Sequence, residues 1–284
     1  MQTQYFFLDL SNEQYHSNQG YISSSFIKSV SKHSIAKALK PIEPSQALFF
    51  GDAMHTYFES REQFHKRFIV FKDSEIISDI LEKRPDITSP TMTKEYKSFK
   101  RDFECSLQDG QSVISEQDME TIHQMYNSAI RNEGLRYVYE SYAPYQIRDE
   151  YSFFTEEEDM YGLKYRVRPD RLLVDQEENP IAIIDWKSCR DASVKAFRSD
   201  FYKYRYDLQA VFYCDVLDIS VDNFYFVAIE KEYPYNTAVY SLDPETAMRA
   251  SAELSEIKDI IGKWRQGRLM GNINLPNTNT ITLL

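Results

Sequence analysis

Cysteine is scarce in this sequence, with Cys105, Cys189 and Cys214 the three among 284 residues. They are far apart and odd in number, so no disulfide framework and no cysteine-held zinc or iron–sulfur site is indicated; reduced thiols are expected. Long apolar runs are missing as well. None approaches the roughly 20 residues that a membrane-spanning helix needs. The opening MQTQYFFLDLSNEQYHS lacks the basic-then-apolar order of a secretion signal. These absences lead to the expectation of a cytoplasmic protein with no membrane partner. There are no internal repeats, low-complexity tracts or linker-like stretches, so one domain over residues 1–284 is expected. Positive charge is in deficit: 33 Lys and Arg stand against 44 Asp and Glu, a net of −11. That balance argues against a protein that coats nucleic acid indiscriminately, because phosphate binding rests on Lys and Arg.

The chain does have the means to build a large core, with 42% hydrophobic and 14% aromatic residues. Its charge is also uneven. Residues 163–210 hold ten Lys and Arg against eight Asp and Glu, which leaves −13 for the remainder. Such a balance allows a local basic channel inside an acidic exterior, with part of the acidity serving as metal ligands.

The most informative stretch is 161–187. In 163–170, Lys164, Arg166, Arg168 and Asp170 fall on one parity and Leu163, Tyr165, Val167 and Pro169 on the other, the pattern of a strand with a charged and an apolar face. A turn-like run over 175–180 leads into Ile181-Ala182-Ile183-Ile184-Asp185-Trp186-Lys187, a second strand that is apolar until its end. Side chains alternate on a strand, so Asp185 and Lys187 share a side and Trp186 takes the other. A hairpin would bring Asp170, Asp185 and Lys187 together. Carboxylates beside a cation suit a hard metal and an activated water, which points to metal-assisted phosphodiester hydrolysis. A surface hairpin with an Asp–Lys pair of little energetic weight is the plain alternative.

In chain order, 21–39 reads as a helix entered through serines, and 47–59 as a second helix on which Gly51 and His55 sit four apart on one face. A helical glycine costs up to roughly 1 kcal/mol, so Gly51 is expected to mark the close approach of another backbone or a ligand. His55 is a candidate ligand or phosphate contact, or else a packed core histidine. Residues 68–71 suggest a short strand and 72–109 a mixture of loop and helix. Ser115-Glu116-Gln117-Asp118 resembles a capping box opening a helix to about 132. A further helix over 135–142 precedes a strand at 146–155, an acidic turn at 156–159 and its antiparallel partner from 161. Glu150 lies in that first strand, as a third carboxylate of the cluster or an outward-facing residue. A helical pattern over 193–217 carries Gln209 and Tyr213 four apart. Strands at 223–230 and 237–242 follow, and Asp243-Pro244 caps a last helix to about 266.

Taken together, YISSSFIKSV, GDAMH, HKRFIV, SVISEQDMETIHQMY, YRVRPDRL, IIDWKS and YRYDLQAVFY resemble, in order and spacing, the PD-(D/E)XK nuclease superfamily. Within it the chain resembles the RecE group, the nuclease domain of exonuclease VIII, and is more distantly similar to lambda-type exonuclease and RecB nuclease domains. The resemblance implies an α/β fold, a mixed central sheet flanked by helices, with a mainly helical portion over 1–145 and the catalytic sheet and its helices over 146–284. It also implies metal ligation by His55, Asp170, Asp185 and the main-chain carbonyl of Trp186, with Glu150 acting directly or through water. Lys187 would position and help deprotonate the attacking water. Gln209 and Tyr213 would support the site or touch the DNA backbone, and Arg166 and Arg168 would hold phosphates. The segment 73–100 lacks the arginine-rich run expected of the DNA-facing loops. The implied activity is Mg²⁺-dependent digestion of double-stranded DNA from its 5′ ends, with Mn²⁺ substituting, leaving a 3′ strand for a RecT-like annealing partner. Subunits of this kind form rings around DNA. An endonuclease of the same superfamily, or a DNA-end binder without activity, are the rival readings.

Overall fold

The computed structural model describes residues 5–269, apart from 9, 11, 19 and 42. Strand β1 (Tyr5–Leu8) and helices α1 (Asn12–Ser17), α2 (Ser24–Lys32) and α3 (Ile35–Ala38) come first. The single helix expected over 21–39 is thus two, because Ser34 turns to extended backbone and caps α3 by accepting from the Lys37 amide at 3.2 Å. Helix α4 (Gln46–Glu59) lies where expected and gives way at Ser60 to α5 (Arg61–Arg67). Strand β2 (Phe68–Phe71), helices α6 (Ser74–Lys83) and α7 (Lys94–Cys105) and strand β3 (Ser112–Ser115) follow, β3 pairing parallel with β2. Ser115 opens α8 (Glu116–Arg131), its Oγ accepting from the Asp118 amide at 3.0 Å, and α9 (Glu133–Ser141) comes next.

The second half supplies strands β4 (Gln146–Asp149), β5 (Ser152–Thr155), β6 (Arg166–Val167), β7 (Arg171–Val174) and β8 (Pro180–Cys189). Helices α10 (Val194–Tyr204) and α11 (Tyr206–Leu217), strands β9 (Phe224–Glu230) and β10 (Thr237–Tyr240) and helix α12 (Pro244–Arg265) complete the described chain. The central sheet has the order β10-β9-β8-β7-β4 and is antiparallel except for the parallel pair β8–β9, which makes it mixed, as the fold class requires. Strands β1, β5 and β6 form a separate three-stranded sheet. None of the described helices is long and apolar enough to cross a membrane.

Two expected strands are broken. Residues 146–155 divide at Glu150, whose φ of 54° is left-handed; β4 enters the central sheet and β5 the smaller one. In 163–170 only Arg166–Val167 is strand, and it pairs with β5. Pro169 has no amide to give to a ladder, and the partner of β8 is β7, with Arg171 opposite Ile184. The charged and apolar parities of 163–170 still separate by burial, with Leu163, Tyr165, Val167 and Pro169 buried and Lys164, Arg168 and Asp170 partly exposed; Arg166, which is buried, is the exception.

Each face of the central sheet carries a core. On one, Leu172, Ile183, Phe226 and Ala228 pack with Ile27 and Val30 of α2, Phe212 of α11 and Ile257 of α12. On the other, Leu173, Ile184, Trp186 and Val227 pack with Met54 and Phe58 of α4, Met125 of α8 and Leu135 of α9. Successive residues of β7, β8 and β9 alternate between the two layers, as strand geometry demands.

Candidate active site and metal centre

Strand β8 places Asp185 and Lys187 on the side that faces α2 and α11, and Trp186 on the side that faces α4, where its ring meets Phe58 edge-on at 5.3 Å. One step beyond the Arg171–Ile184 pair, Asp170 stands across from Asp185. The Asp170 carboxylate is fixed by the Trp186 amide, which donates to its Oδ2 at 2.8 Å. Helix α4 brings His55 to the same oxygen, Nδ1 lying 3.3 Å away.

Glu150 joins them because the backbone turns left-handed between β4 and β5. Its amide donates to the Asp170 carbonyl at 3.2 Å, and its Oε1 stands 4.0 Å from His55 Nδ1. Arg168 secures this turn, donating from Nε to the Glu150 carbonyl at 2.7 Å and lying 2.9 Å from its Oε2. One ligand atom from each of His55, Glu150 and Asp170 lies within 4.8 Å of the others.

Asp185 is fully buried and stands beside this trio. Its Oδ1 accepts from Gln209 Nε2 at 2.6 Å, and the Lys187 ammonium rests against Oδ2, which has no hydrogen-bond donor in good alignment. Gln209 in turn accepts at Oε1 from Lys28 Nζ at 2.9 Å. Tyr213 donates to the Arg168 carbonyl at 3.2 Å, bracing the main chain two residues before Asp170.

The charges are strongly interdependent. Burial disfavours a charged His55, but Asp170, by charge and hydrogen bond, and Glu150 outweigh it and raise its pKa to about 9. Burial also opposes the Asp170 charge, yet His55, Lys187 and the Trp186 amide hold that carboxyl below its usual value. Burial and then Asp170 push Glu150 up to about 8. Burial lifts Asp185 to about 6 against the pull of Lys187. Lys187, despite burial, is held well above the ordinary lysine value by Asp185 and Asp170.

These donors fit a hard divalent cation: an imidazole and carboxylate oxygens converge, and a buried carboxylate oxygen adjoins them without an aligned donor. The structure distributes the expected residues unevenly. The tight group is His55, Glu150 and Asp170; Asp185 is engaged by Gln209 and Lys187 at its border. Trp186 contributes an observed amide contact. Arg166 is 7% exposed and donates to the Tyr15 and Asn18 carbonyls, while Arg168 serves Glu150 and the Leu10 carbonyl. Both guanidiniums are thus turned inward to support the fold, and neither is presented to a phosphate. Open space, with no approaching backbone, lies beside Gly51. Lys28 was not among the candidates, although it belongs to the YISSSFIKSV segment; only the contact between α2 and α11 reveals it.

Comparison with solved structures places this architecture. A crystal structure of an exonuclease candidate from Eubacterium rectale aligns with a TM-score of 0.53 at 15% identity, covering 93% of this chain and 89% of that one. A phage-related exonuclease from Haemophilus somnus 129PT aligns at 14% identity over 67% of this chain and 93% of its own, with a TM-score of 0.30, too low to bear on the fold. No curated protein matches. The model of the PDDEXK-like domain of unknown function (DUF3799) matches residues 23–270, and with that span, this sheet and these donors the chain belongs to the PDDEXK-like family, within the PD-(D/E)XK nuclease superfamily.

Proposed function

We propose that this chain is a divalent-metal-dependent exonuclease that digests double-stranded DNA from its 5′ ends and leaves 3′ single strands for an annealing protein of the RecT kind. The reading rests on one observation above all: His55, Glu150 and Asp170 converge beside the Asp185–Lys187 pair of β8. His55, Glu150 and Asp170 would hold the cation, Mg²⁺ or Mn²⁺, with Asp185 and the Trp186 carbonyl completing the set. When bound, such a cation supplies Lewis acidity at a phosphoryl oxygen and lowers the pKa of water.

Lys187 is an ammonium under these conditions, so it donates hydrogen bonds. It orients a nucleophile and screens phosphate charge; to accept a proton it would first have to lose one, which Asp185 and Asp170 oppose. Gln209 orients the Asp185 carboxylate, and Arg168 with Tyr213 fixes the main chain that carries Glu150 and Asp170. Assembly into a ring is the oligomeric state proposed, since enclosure by several subunits keeps an acidic chain on DNA.

The test is a linear duplex labelled at either end, incubated with Mg²⁺, Mn²⁺ or chelator beside a closed circular duplex. Stepwise loss from the 5′ label, an intact circle and no cleavage under chelation are expected. Nicking of the circle would establish an endonuclease instead, and binding without cleavage in either metal would leave an end-binding protein.

A further inference from the structure

The active-site lysine does not end the line of charged and aromatic groups around the hairpin. Lys187 Nζ lies 4.9 Å above the Tyr206 ring centroid, and Lys28 Nζ 5.9 Å from it. Tyr206 stacks on Tyr204, with centroids 5.7 Å and planes 29° apart. Tyr204 is 42% exposed and has its own pair of cations, Lys203 at 4.9 Å and Lys32 at 5.6 Å. A continuous series therefore runs from a largely buried ammonium to open surface.

Packing alone accounts for an amphipathic tyrosine over apolar side chains, but it does not explain four lysines on two stacked rings. Burial, Arg205 and Lys203 together hold the Lys32 ammonium below its ordinary pKa, with Asp207 opposing them, a sign of crowded positive charge. The neighbouring acids are engaged elsewhere: Asp207 and Glu253 both pair with Arg205. Among the described residues Lys32 and Lys203 have no ion-pair partner. On a chain of net charge −11 this is a local site of the opposite sign. Aromatic faces interleaved with lysines bind single-stranded nucleic acid, because every base has a π-face and every linkage a phosphate.

We propose that Tyr204 and Tyr206, with Lys32 and Lys203, form a track for single-stranded DNA that leads the strand to Lys187, an unpaired base stacking on Tyr204 and phosphates meeting the two exposed lysines. The inference deepens the nuclease reading and rests on it for the identity of the ligand.

The experiment measures fluorescence anisotropy of a labelled oligothymidine with the full-length chain in chelator, where no cleavage intervenes. Tyr204→Ala is expected to weaken binding about tenfold and Tyr204→Phe to leave it near wild type, since stacking needs the ring and not the hydroxyl. The Lys32→Gln/Lys203→Gln double variant is expected to flatten the dependence of log affinity on log salt by about 0.7 per lysine. Undiminished binding by Tyr204→Ala together with an unchanged salt slope in the double variant would overturn the track, as would a wild-type chain that does not bind the oligomer at low salt. Cleavage of labelled duplex in Mg²⁺ is scored separately. Tyr204-dependent binding by a chain that cuts nothing would sink the exonuclease reading and leave the track standing; robust cutting with Tyr204-independent binding would do the reverse.

Discussion

Lys187 sits against Asp185 on one side and the Tyr206 ring on the other, so its charge is fixed in place before substrate arrives. Removing that charge from the site should lower the cleavage rate far more than it lowers binding. Lys187→Ala is expected to reduce kcat at least ~100-fold, within the range that a positioned proton-bearing group contributes. Asp170→Asn should do the same while abolishing the His55 ion pair, and both are checked by single-turnover cleavage with filter binding as the control. The pKa values set a second expectation. A metal ligand must be neutral imidazole or carboxylate, whereas metal-free His55 keeps its proton up to about pH 9 and Glu150 up to about 8. Cation binding must then displace protons at pH 7, so affinity should climb from pH 6 to about 9 and level off above it. Titration calorimetry in buffers of differing ionisation enthalpy reads that release directly, and a pH-independent affinity would remove these two side chains from the ligand set. Asp170, Asp185 and Lys187 were legible because strand alternation and hairpin spacing are local rules. The pairing of Arg168 with Glu150 was not, since nothing in residue order shows a left-handed turn at a glutamate.

Among the elements, those defined by their own capping chemistry could be read from sequence: α8 begins at Ser115 and α12 at Asp243-Pro244, where the Asp243 carboxylate accepts from the Thr246 amide at 2.9 Å. Those defined by a partner elsewhere could not. Strand β3 is short and exists through its parallel pairing with β2, and the interruption of 193–217 at Arg205 depends on a left-handed residue whose guanidinium binds Asp207 and Glu253. Helix α12 offers a clean test of such long-range determination. A Cβ on Gly262 would lie 2.5 Å from the Tyr161 carbonyl oxygen, closer than any real contact. Alanine is the better helix former by about 1 kcal/mol, but a backbone carbonyl has little freedom to retreat. Gly262→Ala is therefore expected to lower the thermal midpoint despite its gain in propensity, and a midpoint at or above wild type would show that the 156–165 connection is free to shift.

For the molecule as a whole, burial holds Glu150 and Asp185 where their ionised forms are disfavoured, so a cation held beside them should stabilise the fold. Mg²⁺ or Mn²⁺ that binds the folded state and not the unfolded chain should raise stability by about 2.7 kcal/mol at roughly a hundred times its Kd. Calorimetric melts with metal and with chelator measure that difference, and coincident melts would argue against a site of useful affinity. The same sheet that carries the site also separates the two cores. Because β8 sends Ile184 and Trp186 to one layer and Asp185 and Lys187 to the other, sliding this strand by a single residue would drive a carboxylate and an ammonium into oil and push an indole into the space that the charged groups hold. A misaligned chain would thus forfeit stability and chemistry at the same moment, so quality control that recognises unfolded protein would also clear the inactive enzyme.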